Sequence, residues 1–77
     1  MIVNIEGEVR KIDEVKLKNK EGEALYIETK WDKGIEISKV IFDRKNGFKV
    51  GDKIKVKCRV YIKKDKNGNL SLGAWGV

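Results

Sequence analysis

The chain has 77 residues, of which 40% are apolar and 39% are charged, and its formal net charge is +6. A chain of this length forms one domain, residues 1–77, whose core is too small to enclose a deep substrate cavity. There is no run of about 18 apolar residues, no signal-like N-terminus and only one cysteine. We therefore expect no membrane span, no disulfide and a cytoplasmic, reducing setting.

The charge is distributed unevenly along the chain. Residues 1–38 contain 7 Lys or Arg and 9 Asp or Glu, whereas residues 39–77 contain 11 and 3. The basic second half favours a polyanionic partner, with nucleic acid ahead of an anionic membrane surface. The alternative is that these charges only keep a small domain soluble.

The first predicted strand runs from Ile2 to about Leu17. Apolar residues and one glycine alternate with polar residues up to Val9, and the phase of the alternation changes near Arg10. A glycine inside a strand, Gly7, followed by such a phase change predicts a bent strand with a bulge.

The second and third predicted strands, residues 24–31 and 35–43, flank Asp32-Lys33-Gly34. A three-residue turn with glycine at a positive φ angle would place Lys30 opposite Glu36. One inward face would then hold Leu25, Ile27, Thr29, Trp31, Ile35, Ile37 and Ile41. Trp31 is accordingly predicted to close one end of the core, with ligand contact as its second role.

The fourth predicted strand, residues 53–64, reads KIKVKCRVYIKK and follows a loop too short for a substantial helix. Side chains of a strand alternate between its two faces. The inward face therefore holds Ile54, Val56, Cys58, Val60 and Ile62. The outward face holds a row of cations with one aromatic, Tyr61.

The turn Asp65-Lys-Asn-Gly68 leads into the fifth predicted strand, residues 69–77. The register that keeps the apolar residues of both strands on one face places Leu70, Leu72 and Ala74 in the core. The same register sets Tyr61 opposite Gly73 and Arg59 opposite Trp75, where a cation–π pair could form. Five strands arranged as a meander, with a long bent first strand, predict an all-β, closed or partly open barrel that is OB-fold-like. An SH3-like barrel is the alternative.

Catalysis is not expected. The chain has no histidine, no glycine-rich phosphate loop, and a single cysteine on the core face. Its close acidic pairs, Asp13-Glu14 and Glu21 with Glu23, fit a solvated bend and a turn. We therefore expect no catalytic residue, no metal site and no cofactor.

The outward face of the fourth and fifth strands has the residue types that single-stranded nucleic acid requires. Cations follow phosphates, and aromatic rings stack on unpaired bases. The predicted binding residues are Lys53, Lys55, Lys57, Arg59, Tyr61, Lys63, Lys64, Lys66 and Trp75. Secondary candidates are Tyr26, Lys30, Trp31 and Phe48, the last of which could equally plug the core. Each lysine alone is also explained by solvation, and Trp75 by packing.

Residues 48–77, FKVGDKIKVKCRVYIKKDKNGNLSLGAWGV, resemble the fourth and fifth strands of small OB-fold single-stranded DNA-binding proteins of bacterial or filamentous-phage type. RNA-binding TRAM-like and S1-like barrels have a similar VGDKIKVK entry. The chain departs from these families because it has no room for a helix before the fourth strand, and its first half is acidic. The resemblance implies binding on strands two and three, near Tyr26 and Lys30, whereas the charge favours strands four and five.

We interpret the chain as a non-enzymatic module that binds single-stranded nucleic acid, DNA ahead of RNA, with little sequence preference. We give the face of strands four and five priority. The alternative is a protein-interaction or oligomerisation barrel whose basic face stays solvated. A homodimer or larger homo-oligomer is compatible with both interpretations, and no membrane partner is expected.

Overall fold

The computed structural model describes residues 1–77 as five strands without a helix. The strands are β1 (Ile2–Leu17), β2 (Lys20–Trp31), β3 (Gly34–Phe42), β4 (Lys53–Lys64) and β5 (Leu70–Gly76). Hydrogen bonds join them into a closed barrel in the order β1-β2-β3-β5-β4, and β4 pairs with β1. The predicted all-β class and five-stranded barrel are confirmed.

The strand order is not the predicted meander, because β5 lies between β3 and β4. The long β1 pairs with β4 along its first half and with β2 along its second half. β4 therefore follows β3 in the chain but lies beside β1 in the sheet. β5 closes the ring through a parallel contact in which Ile41 of β3 lies beside Trp75.

The bend of β1 allows one strand to serve two neighbours. Its register with β2 shifts between Val9 and Lys11, which confirms the predicted bulge. Gly7 lies just before this bulge, where the backbone of β1 approaches that of β2. A Cβ atom at Gly7 would overlap the carbonyl group of Glu28, so only glycine fits this close approach.

The predicted register of the β2–β3 hairpin is wrong by one residue. The turn contains only Asp32 and Lys33, so Trp31 pairs with Gly34 and Lys30 pairs with Ile35 instead of Glu36. A slip of one residue moves every side chain of a strand to the other face. Both faces of β3 are apolar, since Ile35, Ile37 and Ile41 alternate with Val40 and Phe42, so the hydrophobic pattern could not choose between the two registers.

The observed register turns Val40 and Phe42 into the core and leaves Ile35 and Ile37 exposed. The main core cluster consists of Leu25, Ile27, Val40, Phe42, Val56 and Cys58. Trp31 is 64% exposed and does not close the barrel, because β2 extends past the end of this cluster. The predicted inward role of Trp31 is therefore wrong.

The β4–β5 hairpin has the predicted register, with Arg59 opposite Trp75 and Tyr61 opposite Gly73. Its turn is fixed by Asp65, whose Oδ1 accepts hydrogen bonds from the backbone N–H groups of Asn67 (2.8 Å) and Asn69 (2.9 Å). Gly68 follows with a φ angle of +84°, which suits glycine.

The outer part of this hairpin, residues 61–73, extends beyond the core, and we call it the arm. Ile62, Leu70 and Leu72 share one side of the arm and are exposed. Their predicted burial is wrong because the barrel ends before the hairpin does. The half-buried Ala74 does pack against the core cluster.

The close approach at Gly7 gives a stability prediction. Gly7→Ala should lower the free energy of unfolding by about 1–3 kcal/mol, because the added methyl group has no room beside the Glu28 carbonyl. Gly34→Ala is the matched control, since a Cβ atom at Gly34 would meet nothing within 4 Å and its φ angle is not positive. Urea unfolding followed by circular dichroism measures both. Equal stability of Gly7→Ala and wild type would contradict this interpretation of β1.

The buried Cys58 thiol gives a pH prediction, because burial raises its pKa above the ordinary value. The folded protein keeps the thiol proton while the unfolded chain loses it above about pH 8.5. The contribution of this group to stability is therefore present at lower pH and is lost as the pH rises. Urea unfolding from about pH 7.5 to 9.5 should show a steeper loss for wild type than for Cys58→Ala. Parallel pH profiles would mean that the thiol ionises normally in the fold.

Candidate nucleic-acid interface

The outer face of β4 is a row of exposed cations. Alternate residues of β4 point to solvent because Val56 and Cys58, on the opposite parity, are buried in the core. The exposed members of the row are Lys53, Lys55, Lys57, Arg59 and Lys63. Lys64 and Lys66 are exposed at and beyond the end of the strand.

The neighbouring strand β1 divides this row into two parts. Glu8 lies opposite Lys53 and Glu6 opposite Lys55, so carboxylates flank the first two lysines. Neither cross-strand pair comes within salt-bridge distance, and Glu8 instead pairs with Arg10 at 2.9 Å. Each acidic side chain still lowers the positive potential beside its lysine. From Lys57 onward, β1 contributes Asn4 and Ile2 and no charge. The second part of the row therefore carries the stronger positive field.

Two aromatic rings accompany this second part. Tyr61 lies over Gly73, where a Cβ atom would collide with the phenol ring at 2.6 Å, so the glycine lets the ring lie flat on the sheet. Lys63 Nζ lies 5.8 Å from the centroid of the Tyr61 ring, a cation–π contact. Trp75 is half-buried opposite Arg59, and no cation–π contact joins these two residues.

A shallow groove of about 430 Å³ lies between these side chains. It is lined by Arg59, Tyr61, Trp75, Gly76 and Val77. The groove brings one guanidinium group and two aromatic rings to the same opening. A planar ring could stack there while a phosphate meets the guanidinium group.

Tyr26, on the outer face of β2, is held between two lysines. Its ring centroid lies 5.3 Å from Lys11 Nζ and 5.7 Å from Lys39 Nζ. Lys11 is its partner on β1 and Lys39 its partner on β3. Sequence reasoning missed these two lysines, because their position beside Tyr26 depends on the bulge in β1 and the register of β3.

Strand pairing links the outward residues of β4–β5 to those of β2–β3, although the last residue of this series, Ala24, is fully buried. Arg59 pairs with Trp75, Trp75 lies beside Ile41, and Ile41 pairs with Ala24. The face favoured by charge and the face implied by resemblance thus meet at the Trp75–Ile41 contact.

Other predicted site residues lie off this surface or have internal partners. Phe48 is half-buried against the core cluster, which agrees with the core-plug alternative. Lys30 Nζ lies 3.8 Å from a Glu28 carboxylate oxygen. Trp31 lies on the same face of β2 as the buried Leu25 and Ile27, but it is beyond the end of the core and is therefore exposed.

The basic loop before β4 is also engaged internally. Lys45 Nζ donates a 3.1 Å hydrogen bond to Glu14, which raises the pKa of Lys45 above its usual value. The Arg44 guanidinium donates to Asp43 and to the Val77 carbonyl oxygen. The backbone N–H and side-chain amide of Asn46 both donate to the buried Glu23 carboxylate at 2.9 Å. These contacts hold the loop in place and leave less free charge for a ligand.

A second groove of about 430 Å³ lies where β1 separates from β2. Its lining includes acidic and basic side chains in equal number: Glu6, Glu8, Glu28, Lys30, Lys53 and Lys55. This mixture suits a polyanion less well than the groove beside Tyr61. No group of three His, Cys, Asp or Glu side chains is placed to hold a metal ion. The chain also has no helix long and apolar enough to cross a membrane.

Comparison with known proteins finds no match among models of protein families, curated proteins or solved structures.

Proposed function

We propose that this chain is a non-enzymatic protein that binds single-stranded nucleic acid, DNA in preference to RNA, with little dependence on sequence. The outer face of β4 and β5 is the primary contact surface. The observation that carries the proposal is the groove in which Arg59, Tyr61 and Trp75 meet, beside the unopposed cations Lys57 and Lys63. Cations attract the phosphates, and the two rings stack on bases.

Unpaired strands fit this surface better than a duplex does. The chain has no helix that could enter a major groove. Tyr61 presents the flat face of its ring over Gly73, and a flat ring stacks on an unpaired base more readily than on bases already stacked in a duplex. The preference for DNA is supported by the resemblance of residues 48–77 to single-stranded DNA-binding proteins.

The strand order supports an OB-type barrel within this proposal. A ring in the order β1-β2-β3-β5-β4, with β3 and β5 parallel, is the arrangement of OB folds, and many OB folds bind oligonucleotides. The proposal includes a reducing, cytoplasmic setting, in keeping with a single buried and unpaired cysteine, Cys58.

Tyr26 and its two lysines extend the surface toward β2. Neighbouring strands are about 4.8 Å apart, so the path from β4 across β5 and β3 to β2 is about 14 Å long. That length corresponds to a few nucleotides, within the site sizes known for single OB folds. Tyr26 would then provide a second stacking position for the same strand.

A titration of fluorescently labelled oligo-dT, followed by anisotropy at several salt concentrations, tests the proposal. Contact with about four phosphates predicts a log–log salt slope near −3. Tyr61→Ala and Trp75→Ala should each weaken binding about tenfold or more, because each removes a stacking ring. Trp31→Ala is the matched control, since this exposed tryptophan lies off the proposed face, and it should keep the wild-type affinity.

The same titration separates the proposal from its rival. A protein-interaction module with a solvated basic face would bind oligo-dT weakly at low salt and would not respond to loss of Tyr61 or Trp75. A duplex of equal length that binds as tightly as oligo-dT would also overturn the proposal. An rU oligomer of the same length tests the preference for DNA.

The division of the cation row gives a separate prediction. Arg59→Gln should reduce affinity for oligo-dT severalfold more than Lys53→Gln, although each substitution removes one positive charge. Lys53 already lies opposite Glu8, whereas Arg59 has no acidic neighbour across the strands and lines the groove. Equal losses would mean that position in the row does not matter, and that binding follows net charge alone.

A further inference from the structure

The arm has an apolar side that the barrel does not cover. Ile62, Leu70 and Leu72 are 67%, 68% and 76% exposed, and they project from the same side of the two paired strands. Strand pairing is continuous through the arm, and Asp65 caps its turn, so an ordered ribbon holds these side chains together. A two-stranded ribbon is marginally stable in water unless its apolar side is covered. We therefore expect this side to have an occupant.

Free positive charge accompanies the apolar side chains of the arm. Residues 61–73 contain three lysines, Lys63, Lys64 and Lys66, and one carboxylate, for a net charge of +2. None of the three lysines forms an ion pair, whereas Lys30 of the other projecting hairpin pairs with Glu28. The single carboxylate accepts hydrogen bonds from the backbone of the turn. The arm therefore presents unneutralised cations next to exposed apolar surface.

The lysines are placed so that their ammonium groups can avoid an apolar contact. Lys64 lies on the apolar side beside Leu70, but its stem runs toward the turn, where its Cε atom lies 4.0 Å from the position that a Cβ atom would take at Gly68. Lys66 is exposed in the turn itself, and Lys63 lies on the opposite side of the ribbon. A lysine stem can follow apolar surface while its ammonium group reaches a polar layer.

Nucleic acid and protein partners fit this combination poorly. Unpaired bases stack on rings, and the apolar side has only aliphatic side chains. Each partner in a stable protein interface contributes about 800 Å², far more than three side chains expose, and such an interface would also enclose the Lys64 stem and its charge. A bilayer with anionic headgroups tolerates both features, because a small apolar contact and the attraction of nearby cations act together there.

We propose that the arm binds the surface of a bilayer that contains anionic phospholipids. Ile62, Leu70 and Leu72 enter the boundary between headgroups and acyl chains, while Lys64 and Lys66 remain among the headgroups. The contact is peripheral and reversible, because three side chains and a few cations anchor it. We expected no membrane partner from the sequence, which has no apolar run long enough to span a bilayer, but a ribbon that lies at the surface needs no such run.

The β2–β3 hairpin shows why charge assigns this role to the arm. Its tip also exposes apolar side chains, among them Ile35 (62%) and Ile37 (53%). Residues 28–37, however, contain three carboxylates and two lysines, for a net charge of −1. Anionic headgroups would attract the arm and repel this hairpin. Ile35 is therefore a matched control for the apolar residues of the arm.

Co-sedimentation with lipid vesicles, in the absence of nucleic acid, tests the proposal. Wild type should bind vesicles of phosphatidylcholine with about 30% phosphatidylserine, and should bind pure phosphatidylcholine about tenfold or more weakly, because each lysine near an anionic surface strengthens binding about fivefold. Leu70→Gln and, independently, Leu72→Gln should each weaken binding to the mixed vesicles about fivefold or more, since each removes an apolar side chain from the contact. Ile35→Gln should bind as wild type does. Circular dichroism should show that the three variants keep the fold, since the substituted side chains are exposed.

Adsorption through net charge alone is the main alternative for a chain of net charge +6. It predicts that Leu70→Gln and Leu72→Gln bind the mixed vesicles as tightly as wild type, and that result would overturn the proposal. A wild type that binds both kinds of vesicle equally, or an Ile35→Gln variant that loses as much affinity as Leu72→Gln, would also overturn it. A wild type that binds neither kind of vesicle would do the same and would leave the apolar side to a protein or to no partner. Because no oligonucleotide is present, the outcome is independent of nucleic-acid binding.

Discussion

Apolar and polar side chains alternate strictly along β4, and both edges of this strand are paired with neighbouring strands. The rest of the structure depends on this constraint. β4 pairs with β1 on one edge and with β5 on the other, so it cannot rotate or slip without breaking both ladders. Val56 and Cys58 anchor its inward side in the core. The cations of the outward side are therefore fixed in one row, together with Tyr61.

The neighbours of β4 give this row its chemical character. β1 places Glu8 and Glu6 beside the first two lysines, and β5 places Trp75 and the glycine under Tyr61 beside the later residues. Positive charge and exposed aromatic surface thus coincide in the second half of the strand. Beyond the core, the same alternation leaves the arm with two different sides, one with Tyr61 and Lys63 and the other with Ile62, Leu70 and Leu72.

The sequence predicted those elements in which a periodic pattern and a turn signal agree. In β4 and β5, only one choice of inward face places apolar residues in the core, and the turn from Asp65 to Gly68 fixes the register. The pairing of Arg59 with Trp75 follows from these two facts. The bulge in β1 was visible as a phase change near Arg10. The pattern of β3 did not indicate which face is inward, because isoleucines occupy one face while Val40 and Phe42 occupy the other.

Other features depend on tertiary geometry that local patterns do not contain. The insertion of β5 between β3 and β4 follows from how β1 shares its length between two neighbours. Closure of the barrel also determines where the barrel ends. Trp31, Ile62 and Leu72 lie beyond that point and are therefore exposed. Lys11 and Lys39 meet around Tyr26 only because of the register between β1 and β2 and the register between β2 and β3.

Nuclear magnetic resonance of the ¹⁵N-labelled protein, titrated with unlabelled oligo-dT, tests most directly whether the outer face of β4 and β5 binds a single strand. The largest chemical-shift changes should fall on the amides of Lys57 to Lys63 and on the indole N–H of Trp75, with smaller changes around Tyr26. Changes concentrated on Trp31 and the β2–β3 turn, or no changes at low salt, would contradict binding on this face.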